Sequence, residues 1–172
     1  MRAGRSLVAL LVAACLGSPV VAVHSASPVL DFTLPLAEGG HWRLAEQRGH
    51  EVWIALVAPY CGDCTGFVDA AAARMRELEG AAAMPTLMVI STLDARGAPL
   101  QLEGAVRNGL LVDRNDAVLR MLDPPELPWL VRIDADGRAV AAGSDLDSLA
   151  PIAPGDGLWN SLVSRWRQVW DE

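Results

Sequence analysis

Lysine is absent from all 172 residues; the 14 basic residues are arginines, set against 21 acidic ones for a net charge of −7. An acidic chain without a basic stripe is repelled by phosphate backbones, so no nucleic-acid partner is expected. Histidine is scarce too. His24, His41 and His50 all precede the last two cysteines and read as surface or turn residues. Cysteine occurs three times, at positions 15, 61 and 64. A structural zinc site needs four ligands, commonly two cysteine pairs or one pair joined by histidines. This chain has no second pair and no histidine downstream of Cys64. Covalent haem attachment needs histidine directly after the second cysteine, where Thr65 stands. A peroxide-reducing thiol site carries Pro-x-x-x-Thr/Ser-x-x-Cys, but seven residues before Cys61 and Cys64 lie Ile54 and Val57. Neither a metal nor a cofactor is expected. No internal repeat or low-complexity segment occurs.

What is present begins with an export segment over residues 1–26. Arg2 and Arg5 form a basic start, Leu7 to Leu16 is an apolar run, and Gly17-Ser18-Pro19 breaks it. Small-residue cleavage positions follow Ala22 and Ala26. Two other outcomes stay open. Val12-Ala13-Ala14-Cys15 resembles a lipoprotein signal, with Cys15 lipidated, although the residues after it are apolar rather than a polar tether. Alternatively residues 7–23 stay as a short membrane anchor. All three place the remaining domain, 27–172, in the periplasm or on an outer-facing membrane surface. Cleavage removes Arg2 and Arg5 and no acid, taking the charge from −7 to −9.

The domain then holds one cysteine pair, Cys61 and Cys64. A bridge closing so short a loop removes little entropy from the unfolded chain and is a poor staple. Redox chemistry explains such a pair in an exported domain better than structural need does.

Val29–Leu36 alternates like an edge strand, and Trp42-Arg43-Leu44 starts a return strand after Glu38-Gly39-Gly40-His41. Glu51–Ala58 is nearly all apolar, as in a parallel strand covered on both faces. A helix is predicted from the cysteines to about Glu79, with Phe67, Val68, Ala71, Ala72, Met75 and Leu78 on one face and Gly80 as its stop. Thr86–Thr92 reads as a second buried strand, 93–109 as a loop with a short helix, and Leu110–Asp113 as a short strand. Asn115 is the expected cap of a helix ending near Asp123. Pro124–Pro128 is a turn, Trp129–Asp134 a strand, and Asp136-Gly137 a hairpin turn into Arg138–Ala142. Asp134 and Asp136 read as turn formers. Trp159, Leu162, Val163, Trp166 and Trp170 fall at helical spacing, as in a terminal helix docked on a sheet. Together these elements predict an α/β sandwich with a central mixed sheet flanked by helices.

Cys-x-x-Cys between a buried strand and a helix is a redox signature with a physical cause. Cys61 is expected at the first helical turn, where unpaired amides and the positive helix end favour its thiolate, the attacking species. Cys64, one turn on, is placed to resolve the mixed disulfide.

Pro59-Tyr60-Cys61-Gly62-Asp63-Cys64 resembles the thioredoxin active-site loop. The stretch 28–149 is similar to the TlpA/ResA-like branch of exported thioredoxin-fold proteins. Asp31–Pro35 resembles that branch's N-terminal strand, and Pro128–Asp134 with Asp136-Gly137-Arg138 resembles its proline–strand–hairpin. The resemblance implies a thioredoxin-like sandwich with an N-terminal strand extension and a C-terminal helix. It also implies a cis peptide between Leu127 and Pro128 beside the cysteines, leaving neighbouring backbone free to pair with an extended substrate. Pro124 and Pro125 compete for that role, but position before the strand favours Pro128. Tyr60 replaces the family's usual Trp and keeps an aromatic platform. Gly62-Asp63 is the tuning dipeptide. An ionised Asp63 is a like charge beside a Cys61 thiolate and disfavours it, which leans the pair toward reduction. Asp94 either matches an acidic residue that some relatives place behind the cysteines as a proton acceptor, or is an exposed loop residue.

The expected activity is thiol–disulfide exchange on protein disulfides, with Tyr60, Leu127 and Pro128 shaping the groove and a membrane thiol reductant supplying electrons. The family suggests apocytochrome cysteines as one substrate class. The alternative is a copper chaperone binding Cu(I) through the same two thiolates.

Overall fold

The computed structural model describes residues 29–77, 85–147 and 149–151. The predicted leader over 1–26, the helix residues Leu78 and Gly80, and the tryptophan stripe from Trp159 lie outside them. Among the described residues no helix is long and apolar enough to cross a membrane.

A six-stranded mixed sheet forms the centre, with β3 (Val52–Val57) inside it and every β3 residue buried. Its apolar run serves two faces because successive side chains alternate. Val52, Ile54 and Leu56 join one core, while Trp53, Ala55 and Val57 join another. β4 (Thr86–Ser91) runs parallel to β3, and β5 (Leu110–Val112) runs parallel to β4. On the other side of β3, β6 (Trp129–Ile133), β7 (Ala139–Gly143) and the two-residue β8 (Ala150–Pro151) continue the sheet antiparallel. The hairpin between β6 and β7 is the expected one. Asp134 Oδ1 accepts from the amides of Asp136 and Arg138, and Gly137 takes a φ of 83°.

The long helix α1 (Cys64–Glu77) covers the Trp53 face with Phe67, Val68, Ala71 and Met75. The short helix α2 (Ala117–Leu122) packs on the Ile54 face through Val118 and Leu122. Asn115 is not its cap. Asp113, buried at the end of β5, reaches forward instead: its two carboxylate oxygens accept from the amides of Ala117 and Leu119, each at 2.9 Å. The segment 93–109 is loop plus a 3-10 turn at Gly104–Gly109.

The expected strand over 29–36 is shorter, β1 (Thr33–Pro35), paired with β2 (His41–Arg43) around Gly39 and Gly40. Single bridges flank it, from Val29 to Arg138 and from Leu36 to Leu111, so this segment spans the Ile54 face from the β6–β7 hairpin to β5. Leu30 and Leu34 are thereby buried in that core. Asp31 holds the crossing in place, paired with Arg43 at 2.6 Å and accepting from the Ala45 amide at 3.1 Å.

This topology gathers the chemistry at one edge. The parallel strands β3, β4 and β5 end there, and β6, antiparallel to β3, begins there, with Trp129 opposite Leu56.

Candidate active site

Directly after β3 the chain tightens into a turn in which the Cys61 amide donates to the Ala58 carbonyl at 3.1 Å. Gly62 and Asp63 complete the loop, and α1 opens at Cys64. The helix thus starts later than the sequence predicts, and Cys61 stands in front of it. The Phe67 amide donates to the Asp63 carbonyl at 3.0 Å, making Asp63 the residue that caps the first helical bond. The amides of Cys64, Thr65 and Gly66 consequently have no intrahelical acceptor and present the positive end of α1.

Cys61 and Cys64 are joined as a disulfide with Cα atoms 5.6 Å apart, inside the span such a bond requires. The bond holds the Cys61 sulfur against the first helical residue. The two sulfurs are placed unequally. Cys64 is 1% exposed and belongs to the core under α1, with Trp53, Val57, Phe67 and Leu130 in the same cluster. Cys61 packs against the rim of that cluster and is half-buried. Cys61 therefore reaches solvent, whereas Cys64 is sealed beneath α1.

Tyr60, just ahead of Cys61, is 73% exposed, the extreme of the exposed large side chains among the described residues. The Leu127–Pro128 peptide is cis, as the family resemblance implied. Leu127 and Pro128 are both half-buried, and they lead into β6 at the edge where the cysteines lie. Their loop is tied to the far end of β7 by the Ser144 hydroxyl, which donates to Glu126 Oε1 at 2.6 Å. No sequence pattern pointed to that tie, because its partners come from separate loops.

Asp94 has work in its own loop. Its Oδ1 accepts from the amides of Arg96 and Ala98, both at 2.8 Å, and its carbonyl accepts from Gly97. Beside it, Ser91 at the end of β4 and Thr92 just after it are two buried polar residues. The Ser91 hydroxyl donates to the Thr92 carbonyl and accepts from the Leu100 amide, whereas Thr92 Oγ1 is buried with no partner among the described residues. Among those residues no group of three or more His, Cys, Asp or Glu side chains converges as a metal site would need.

No protein-family model and no curated protein matches the chain. Solved structures do. A hypothetical protein from Sinorhizobium meliloti is similar with a TM-score of 0.55 and 21% identity, over 76% of this chain and 74% of that one. DsbF from Mycobacterium tuberculosis, solved in mixed oxidised and reduced forms, gives 0.52 at 15% identity, over 81% and 98%. A secreted disulfide oxidoreductase of the same organism, homologous to E. coli DsbE, gives 0.51 at 15% identity, over 77% and 95%. The structural neighbours thus include thiol–disulfide oxidoreductases, and the chain has their thioredoxin-like fold.

Proposed function

We propose that this protein is an exported thiol–disulfide oxidoreductase of the TlpA/ResA-like kind, working as a reductase of protein disulfides. One observation carries the reading: a bonded cysteine pair at the start of α1, Cys61 half-buried and Cys64 1% exposed, at the sheet edge where the cis Leu127–Pro128 peptide leads into β6. The proposed steps follow that inequality. In the reduced protein, Cys61 as thiolate attacks one sulfur of a target disulfide, forming a mixed disulfide and releasing the target's other sulfur as a thiolate. Cys64, too buried to meet the target directly, gives up its proton and attacks the Cys61 sulfur. The mixed disulfide breaks, the target leaves as a dithiol, and the Cys61–Cys64 disulfide remains. Two electrons and two protons have moved to the target, and an external membrane thiol reductant restores the pair.

Tyr60, Leu127 and Pro128 form the surface against which an extended target segment lies. Gly62 and Asp63 set the poise of the couple. With the Asp94 carboxylate closing its own turn, the mechanism routes no proton through it. The leader pattern over 1–26 and the likeness to a secreted disulfide oxidoreductase support export.

Cysteine variants test the scheme. Cys64→Ser, in its reduced form, is expected to attack a disulfide of oxidised insulin and accumulate a Cys61–insulin mixed disulfide, releasing one insulin thiolate, seen as a mass adduct. Cys61→Ser is expected to form none and to reduce insulin no faster than buffer thiol alone. Equal trapping by both variants would remove the assignment of attacker and resolver. A wild-type potential of about −270 mV supports the reductase, whereas one of about −120 mV would make the protein an oxidant.

A further inference from the structure

The first turn of α1 contains a glycine that its backbone does not demand. Gly66 is not among the glycines with positive φ, and glycine weakens a helix relative to alanine. Its surroundings supply a reason. A Cβ built on Gly66 would overlap Asp63 Oδ1 and lie 3.1 Å from both Asp63 Cγ and Oδ2. The three nearest atoms all belong to that one carboxylate, so the space left by the absent side chain is where Asp63 sits. Gly62, by contrast, has nothing within 4 Å of a built Cβ.

We infer that Gly66 is a positioning residue: by lacking a side chain it seats the Asp63 carboxylate on the first turn of α1, where the carboxylate opposes the Cys61 thiolate and keeps the dithiol reducing. The inference rests on the reductase reading and deepens it. The free amides of this turn are what a Cys61 thiolate gains from. A carboxylate held on the same turn offsets part of that positive end and adds a like charge. In the disulfide neither sulfur is charged, so the carboxylate acts on the reduced state alone. Raising the free energy of that state makes the pair a readier electron donor.

The geometry also says what Gly66→Ala does. The overlapping atoms are the end of a short, exposed side chain rather than backbone, so the carboxylate moves off the helix tip while the helix stays. Four full-length proteins decide the matter: wild type, Asp63→Asn, Gly66→Ala and the double variant. Each is equilibrated in glutathione buffers and its thiols are counted after alkylation. Asp63→Asn is expected to shift the equilibrium with glutathione about tenfold toward the dithiol, about 30 mV for this two-electron couple. Gly66→Ala should shift it the same way by about threefold, about 15 mV. In the double variant the Gly66→Ala effect should vanish, as coupling through one carboxylate requires. The pH midpoint of Cys61 alkylation should fall in the same order.

A Gly66→Ala shift of equal size with and without Asp63 overturns the inference, as does an unchanged potential in either single variant. A thermal melt of each variant separates a lost fold from a changed couple; a lower melting temperature with an unmoved potential also counts against it. Failure of the reductase reading would look different, as an oxidising wild-type potential with the coupling between the two residues intact.

Discussion

Thr92 keeps a hydroxyl that no described neighbour answers, in a position 3% exposed and directly beside the strand that feeds the redox loop. Its amide is used, donating to the Val57 carbonyl at 3.3 Å, but Oγ1 is not. Burying an unpaired polar group costs about 1–3 kcal/mol in proteins. Thr92→Val keeps the shape and removes the hydroxyl, so it is expected to stabilise the fold by about 1 kcal/mol. Urea unfolding measures this as a raised midpoint at constant slope. A lowered midpoint would show that the hydroxyl has a partner after all. The same scale separates the cysteines. Local spacing makes Cys61 and Cys64 look alike, and their difference comes from the side chains of other elements closing over only one of them.

Among the elements, α2 shows how a helix of six residues is held. So short a helix has little stability of its own. It is anchored by Asp113, whose backbone amide donates to the Ser91 carbonyl and whose side chain takes two amides of the helix's first turn. Asp116, at the cap position itself, has a φ of 53° and makes no side-chain cap bond. Asp113→Ala is expected to cost about 1–3 kcal/mol, the range for leaving buried donors unpaired, with Asp113→Asn losing less because one acceptor oxygen stays. Guanidinium unfolding of the two variants checks the order. An alanine variant as stable as wild type would move the anchor elsewhere. The sequence pointed to Asn115 as the cap, but Asp113 and Asp116 carry side chains equally able to accept a helix amide. The choice among them was settled by β4, which fixes Asp113 at the end of the sheet.

At the scale of the molecule, charged pairs join segments far apart in the chain. Glu51, just before β3, accepts from Trp53 Nε1 at 2.7 Å and from Arg132 Nε at 2.8 Å, and the Arg132 guanidinium lies 5.7 Å from the Trp53 ring centre. Burial pushes the Glu51 carboxyl upward, but the donors Arg132 and Trp53 outweigh it and leave it below its ordinary 4.5. The hydrogen bond from Arg43 likewise leads in holding Asp31 below its ordinary 3.8, against a smaller upward push from burial. Both carboxyls are thus easier to ionise when folded, and between the ordinary and folded values the unfolded chain binds more protons. Their contribution is complete above about pH 4.5 and is lost as pH falls through the folded values. Melting temperature should therefore decline on acidification below that point, and Glu51→Gln should flatten the decline. Parallel profiles for the two proteins would take Glu51 out of the account.

Much of this was readable from local patterns, since they depend on residues near one another. A nearly continuous apolar run marked β3 as covered on both faces, the Asp-Gly turn marked the β6–β7 hairpin, and the spacing of Cys61 and Cys64 brought two sulfurs within bonding reach. These follow from strand and helix periods, which the chain carries wherever it folds. Tertiary structure alone decided the rest: the sealing of Cys64, the crossing from Val29 at Arg138 to Leu36 at Leu111, and the tie from Glu126 to Ser144. Periodicity tells a side chain which face to take but never names its partner. Those partners stand on separate elements, and they meet only when the sheet and helices pack.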